Sequence, residues 1–169
     1  MQPWKISNRT KGMTVIVKTI SSWVKVLIFL FGINIVLFGH LTPGGGFAGG
    51  VIVACAYMQL TLAYGKEYAL SKLNTQTASR LDGAGALLFL IVALAGWGFS
   101  GVFFDNFLQK LLPGENFKLY SSGVIPINNI AICLKVGAPL FLVFIILSVI
   151  RIVTNQDGTK TMIQEEEEE

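Results

Sequence analysis

The sequence predicts an all-α integral membrane protein with four transmembrane helices. Hydrophobic residues make up 53% of the 169-residue chain. Charged residues make up only 14%, against about 25% in an ordinary globular domain. Four apolar runs each approach the roughly 20 residues that a helix needs to cross the hydrocarbon core. None of them alternates polar and apolar residues with period two, and open sheet edges cannot face lipid, so we expect helices.

The first three predicted helices are short on charge. The first covers residues 19–39 and carries Lys25 near its start, where a long side chain can extend to the head groups. The second covers 47–64 and the third 83–104, and neither contains a charged residue. These boundaries leave Asp82 and Asp105 at helix ends, so we expect no carboxylate in mid-membrane and no transport by the chain alone.

The fourth predicted helix, residues 130–153, contains one charge, Lys135, followed by Gly137 and Pro139. Proline inside a helix removes a backbone hydrogen bond and can kink the axis. Two interpretations of Lys135 stay open. Its side chain either extends to the outer interface or faces the bundle interior and pairs with a partner's carboxylate.

The distribution of lysine and arginine predicts the orientation. Net charge is +3, and +3 + 5 = +8 without the five C-terminal glutamates. Basic residues mark cytoplasmic loops. Nine lie on one predicted side and two on the other, so both termini are expected in the cytoplasm. The two sets are Lys5, Arg9, Lys11, Lys18, Lys66, Lys72, Arg80, Arg151 and Lys160 against Lys110 and Lys118.

This charge pattern divides the chain into three parts. Residues 1–18 are expected to form a basic cytoplasmic lead, 19–153 the membrane domain, and 154–169 an acidic, disordered cytoplasmic tail. Because the positive excess lies at membrane edges, we expect contact with the lipid bilayer and no binding of nucleic acid.

A glycine-rich hairpin joins the first two predicted helices. It lacks the Lys-Ser/Thr ending of a phosphate-binding loop, and no strand precedes it. Small residues four apart form one strip on the second helix, with a second strip offset beside it. Such strips serve packing within the chain or docking of another subunit, and both remain open. The residues assigned to the hairpin and to helix packing are Pro43, Gly44, Gly45, Gly46, Phe47, Gly49, Gly50 and Ala54.

His40, the only histidine, lies in this hairpin. It could pass or sense protons, or it could hydrogen-bond a carbonyl freed by the turn; the sequence favours the structural role. The candidate ion or proton path therefore comprises His40 and Lys135. Cys55 and Cys133 are isolated, no nucleophile lies beside a base, and metal ligands do not cluster. We expect no cofactor and no catalytic site in this chain alone.

The hairpin pattern, Gly39-His40-x-x-Pro43-Gly44-Gly45-Gly46-Phe47-x-Gly49-Gly50, followed by Ala63-Tyr64-Gly65, resembles the MrpB (MnhB) subunit of multisubunit Na⁺/H⁺ antiporters. The resemblance covers residues 18–153. It implies a small membrane subunit of an Mrp-type cation/proton antiporter module that lines or scaffolds the sodium path. It also implies Na⁺ and H⁺ as the transported ions of the complex. The alternative is a purely structural assembly subunit of a freestanding antiporter.

Similar subunits occur in archaeal membrane-bound hydrogenases and sulfur-reducing complexes. Bacterial antiporter members typically carry Asp-x-Gly in the last helix, where this chain has Lys135-Val136-Gly137. That segment and the stretch 121–126 are closer to the archaeal, hydrogenase-linked members. The resemblance therefore favours a redox-driven respiratory complex but leaves the parent complex open between antiporter, hydrogenase and sulfane reductase.

Overall fold

The computed structural model describes residues 13–111, 118, 121–154 and 160–164. Its elements are α1 (Val15–Leu37), α2 (Gly45–Tyr64), α3 (Lys66–Lys72), α4 (Thr75–Ser100), α5 (Phe107–Leu111), α6 (Ile125–Val149), β1 (Ile150–Thr154) and β2 (Lys160–Gln164). Within the described ranges, α1, α2, α4 and α6 are long and apolar enough to cross a membrane. The predicted all-α membrane fold with four spans is confirmed.

The third spanning helix, α4, begins at Thr75, well before the predicted start at 83. Asn74 explains the early start, because its side chain accepts a hydrogen bond from the backbone N–H of Gln76 and so caps the helix. Asp82 consequently lies seven residues inside α4. The expectation that Asp82 sits at a helix end was wrong.

The last spanning helix is shifted towards the N-terminus relative to the prediction. It begins at Ile125 and ends at Val149, where 130 and 153 were expected. The chain then forms β1, which pairs antiparallel with β2 from Ile150↔Gln164 to Thr154↔Lys160. The run from Ile150 to Thr154 is rich in β-branched residues, which favour strands. The described part of the predicted disordered tail is Thr154, at the end of β1, and β2, whereas the rest of β1 falls in the segment predicted as the last helix. Residues 155–159 and 165–169, and residues 1–12 of the basic lead, lie outside the described residues.

The four spanning helices lie in a row in the order α1, α2, α6, α4. In the middle of the row, 44% of the most apolar stretch of α2 is buried. The corresponding shares are 17% for α1 and 22% for α4, which lie at the ends. Gly46 lies against Asn129 and Tyr57 against Phe141, so α2 and α6 run parallel. Because so little of α1 and α4 is buried, both outer helices expose broad apolar faces.

Glycines allow α2 to approach its neighbours on two sides. A Cβ added at Gly50 would lie 2.9 Å from the carbonyl oxygen of Cys133 on α6. On the adjacent face, a Cβ at Gly49 would lie 3.0 Å from the carbonyl oxygen of Gly32 on α1. Between helices in lipid, this close backbone approach is a main source of attraction. Gly50 therefore contacts α6, and Gly49 contacts α1 of the same chain.

The short helix α3 closes the row at the end where α1 begins and α2 ends. Ala69 of α3 is fully buried against Phe141 and Ile145 of α6. Tyr57 of α2 packs on the same cluster and meets the Phe141 ring edge-on at a centroid distance of 5.8 Å. The loop between α2 and α4 thus folds back onto the helices.

The substitution Gly50→Leu tests the role of this close approach. Because the obstructing atoms belong to the α6 backbone, the side chain cannot be accommodated by a rotamer change, and we expect a cost of about 3 kcal/mol or more, the upper end for overpacking. Gly98→Leu is the matched control, since a Cβ at Gly98 meets nothing within 4 Å. Thermal unfolding of the purified chain in detergent should show a large loss for Gly50→Leu and little change for the control. Equal midpoints would contradict the packing account.

Candidate functional site

An ion pair joins α6 to α4 inside the spanning region. Lys135 Nζ lies 2.7 Å from Asp82 Oδ1. Lys135 is ten residues beyond the start of α6, about 15 Å along the helix at 1.5 Å per residue. Asp82 is seven residues, about 10 Å, beyond the start of α4. The carboxylate that Lys135 contacts therefore belongs to the same chain and not to a partner.

A glycine brings the two backbones together beside this pair. Gly85 lies one turn after Asp82, and a Cβ there would be 2.7 Å from the carbonyl oxygen of Ala131 and 2.9 Å from the backbone nitrogen of Lys135. With any larger residue, α4 would move away from α6. Gly85 therefore sets the separation at which the aspartate and lysine side chains meet.

Pro139 removes one backbone hydrogen bond of α6 close in sequence to the ion pair. It lies inside α6, four residues after Lys135. In a regular helix, the N–H at position 139 would donate to the carbonyl of residue 135, and proline has no N–H. The Lys135 carbonyl oxygen thus lacks its regular helical donor. Proline at this position therefore interrupts the backbone hydrogen bonding of α6 one turn after Lys135.

An apolar groove adjoins the ion pair. Its volume is about 340 Å³, and besides Lys135 its walls come from Gly85, Ala86, Phe89, Ala131 and Ile132. The Lys135 side chain is 52% exposed and that of Asp82 is 30% exposed. Lys135 therefore opens onto the groove, whereas the Oδ1 atom of Asp82 that it contacts is buried.

His40 ties the glycine-rich hairpin to the loop before α6. Its Nε2 lies 3.2 Å from the carbonyl oxygen of Lys118, and its Nδ1 is buried with no hydrogen-bond partner among the described residues. This geometry fits an Nε2–H donor, with Nδ1 as the unprotonated nitrogen. The described contacts do not connect His40 with Lys135. His40 contacts the loop before α6, whereas Lys135 lies ten residues along that helix.

Asn129 of α6 caps the start of α2. The backbone N–H of Gly46 donates to Asn129 Oδ1 over 3.2 Å in a buried hydrogen bond. The helix's own N-cap residue, Gly44, has no side chain and has φ +119°, so an amide from another helix supplies the missing acceptor. Sequence reasoning missed Asn129 because it placed the start of the last helix at 130. The signal was the adjacent pair Asn128-Asn129 next to an apolar run.

The remaining hairpin residues fall into two groups. Pro43, Gly44 and Phe47 are exposed, and Phe47 directs 64% of its surface outward. Gly45 lies against the Asn129 side chain, and Ala54 is buried. The structure thus brings Gly45 and Ala54 to helix contacts and leaves Pro43, Gly44 and Phe47 on the outside.

A second ion pair lies beyond the end of α4. Lys110 Nζ is 2.6 Å from Asp105 Oδ2. The Lys110 ammonium, and secondarily the Ser100 hydroxyl, hold the pKa of the Asp105 carboxyl below its ordinary value. The Lys110 side chain is 66% exposed, so solvent weakens this pair and its contribution to stability is small. It provides an internal comparison for the pair between the spanning helices.

Within the described ranges, no group of three or more His, Cys, Asp or Glu residues is arranged to hold a metal ion. The chemistry that the described residues offer is that of charge pairs and backbone carbonyls among spanning helices. Comparison with known proteins agrees with a membrane role. Residues 16–152 match the family model described as a domain related to the MnhB subunit of Na⁺/H⁺ antiporter. The chain belongs to the MnhB family.

Relatives within this family come from archaea and bacteria. An uncharacterized protein of Methanocaldococcus jannaschii is 35% identical over 75% of this chain and 49% of its own length. A Na⁺/H⁺ antiporter subunit of Bacillus subtilis is 33% identical over 59% of this chain and 68% of the relative. The putative antiporter subunit mnhB2 of Staphylococcus saprophyticus is 31% identical over 62% of this chain and 76% of the relative.

A chain of the membrane-bound sulfane sulfur reductase, an archaeal respiratory membrane complex, has a similar structure. The TM-score is 0.66 at 29% identity, over 82% of the present chain and 58% of that chain. The present chain thus spans about half of the Methanocaldococcus jannaschii relative and under two thirds of the sulfane reductase chain. MnhB-family membership, multi-pass membrane location and similarity to a respiratory complex follow from these matches.

The substitution Asn129→Ala tests the cap on α2. It leaves the buried N–H of Gly46 without an acceptor, which costs about 1–3 kcal/mol. Asn34→Ala is the control, because Asn34 is an exposed amide on α1. Chemical unfolding of the purified chain should show the loss for Asn129→Ala and a change within about 0.5 kcal/mol for Asn34→Ala. A stability of Asn129→Ala equal to that of the parent would disprove the capping role.

Proposed function

We propose that this MnhB-family chain contributes its Lys135–Asp82 pair to the sodium path of an Mrp-type cation/proton antiporter module. The single observation that supports this proposal is an ion pair placed between two spanning helices, 2.7 Å from nitrogen to oxygen. Charged residues within membrane spans are rare and usually mark ion or proton pathways. The proposal extends to Na⁺ and H⁺ as the transported ions and to His40 as an accessory group.

The energetics support a functional pair over an accidental one. A single charged residue at the centre of a spanning helix costs about 2.5–3.5 kcal/mol. Pairing offsets part of this cost, yet two apolar residues of similar size would often be as stable or more stable. A pair that stability alone does not require is expected to serve another purpose, and exchange of its counter-ion is the simplest one for an antiporter subunit.

The residues around the pair suggest how the exchange proceeds. The Asp82 carboxylate attracts a cation that enters the groove, and the flexible Lys135 stem lets the ammonium move aside as the cation arrives. When the cation leaves, the ammonium returns to Asp82. The positive charge near the carboxylate is thereby maintained throughout.

The parent complex proposed here is a respiratory one, either a membrane-bound hydrogenase or a sulfur-reducing complex. Support comes from the similarity to a sulfane sulfur reductase chain and from Lys135-Val136-Gly137 in the last spanning helix. In such a complex, the redox reaction occurs in other subunits and this chain forms part of the ion-translocating portion. The proposed orientation, with both termini in the cytoplasm, rests on the excess of lysine and arginine on one side.

A purely structural role is the second candidate. The glycine contacts of α2 favour it, because they show a chain built for tight packing. The hydrogen-bond contact of His40 with the Lys118 carbonyl also fits a structural role. The two candidates differ in what they predict for the ion pair.

Three variants of the assembled complex distinguish them: Lys135→Met, Asp82→Asn and the double variant with both changes. Either single change leaves a charge unpaired at a cost of about 2.5–3.5 kcal/mol. We expect sodium-dependent transport in membrane vesicles to fall by at least about tenfold, the equivalent of 1.4 kcal/mol. Lys110→Met is the matched control, since it breaks an exposed Lys–Asp pair outside the spans, and transport should be unchanged.

The double variant is decisive, because it removes both charges and leaves neither unpaired. If the pair belongs to the ion path, the complex assembles normally on native gels and transport stays low. Full recovery of both assembly and transport in the double variant would show that the pair is structural. His40→Ala in the same assay separately measures the contribution of the hairpin.

A further inference from the structure

We infer that a groove between α1 and α2 is a binding site for one anionic phospholipid. The groove has a volume of about 360 Å³, and Lys25 and Lys72 contribute to its lining together with apolar residues. It lies at the opposite end of α2 from the glycine-rich hairpin. The inference stands apart from the proposed ion path and does not depend on it.

The groove lies at the end of the helix row where α1 begins and α2 ends. Tyr64, at the end of α2, donates a hydrogen bond from its hydroxyl to the carbonyl of Lys18 over 2.9 Å, which fixes this end of α1 against α2. Lys25 is seven residues further along α1, about 10 Å deeper. Because α3 folds back onto Tyr57, Lys72 at its end reaches the same groove. Two lysines from distant parts of the chain therefore converge at one membrane edge.

Neither lysine is neutralised by a described carboxylate. Asp82 and Asp105 pair with Lys135 and Lys110, respectively, and no described ion pair joins Glu67 to Lys25 or Lys72. Lys72 Nζ instead lies 5.5 Å from the centroid of the Tyr68 ring. Lys25 is half-buried. A half-buried positive charge beside a second one favours a negatively charged ligand.

The apolar walls identify the class of ligand as a lipid. Val26 and Leu30 on α1 are 49% and 57% exposed and line the groove beyond Lys25. Phe29 and Tyr57 form its floor, with an edge-on ring contact at a centroid distance of 6.3 Å. A free phosphate would use only the lysines, whereas a phospholipid places its head group on the lysines and an acyl chain along the walls. Basic pockets between spanning helices are known to take anionic head groups in this way.

The test uses the full-length chain, purified in detergent and titrated with phosphatidylglycerol or phosphatidylcholine. Native mass spectrometry counts the lipids retained. Since each basic residue near an anionic surface contributes about fivefold in affinity, we expect a preference for phosphatidylglycerol on the order of tenfold or more. Lys25→Gln/Lys72→Gln should abolish this preference, and Lys25→Arg/Lys72→Arg should retain it.

The matched control is Lys66→Gln/Arg80→Gln. It removes two positive charges from the same end of the helix row but none from the lining of the groove. It should keep the preference. Equal loss in the control and in Lys25→Gln/Lys72→Gln would mean only diffuse attraction, and an unchanged preference in Lys25→Gln/Lys72→Gln would mean binding elsewhere. If inorganic phosphate displaces the bound phosphatidylglycerol completely, the occupant is not a phospholipid. The same follows if Lys25→Gln/Lys72→Gln releases another subunit, and no lipid, from the intact complex. Each of these four results overturns the inference.

Discussion

The backbone contact between α2 and α6 is the constraint on which the other features depend. Gly46 and Gly50 let α2 lie directly against the backbone around Asn129 and Cys133. Because α6 is held in the middle of the row, its other side is available to α4, where Gly85 produces an equally close approach. That second approach brings Asp82 to Lys135. The close contact between α2 and α6 thus helps to position the ion pair between α6 and α4.

Much of this arrangement was predictable, because spanning length and small-residue spacing are local properties of a sequence. The four spans and the GxxxG strip of α2 are signals of this kind. The partner of that strip was not predictable. Helices that are apolar on all sides carry little periodicity, so the sequence does not indicate which face meets which neighbour. For the same reason, the adjacent glycines gave no sign that Gly50 contacts α6 and Gly49 contacts α1.

Asp82 shows how a boundary error hides a functional candidate. The apolar run begins at residue 83, and a prediction based on hydropathy alone starts the helix there. The helix starts earlier, at Thr75, because Asn74 caps it and the polar first turns are still helical. A charge that seemed to lie at a membrane edge is therefore inside a spanning helix. Attention to the cap would have placed Asp82 correctly, although its pairing with Lys135 required the three-dimensional arrangement.

On the account proposed above, this row of four helices, with wide apolar faces and a charge pair between α4 and α6, is one small part of a larger membrane assembly. Affinity purification of the tagged chain from its native membranes in mild detergent, with all co-purifying subunits identified by mass, tests this most directly. The account predicts larger antiporter-type membrane subunits in fixed stoichiometry, joined by redox subunits if the parent is respiratory. Recovery of the chain alone, or only with copies of itself, would contradict it.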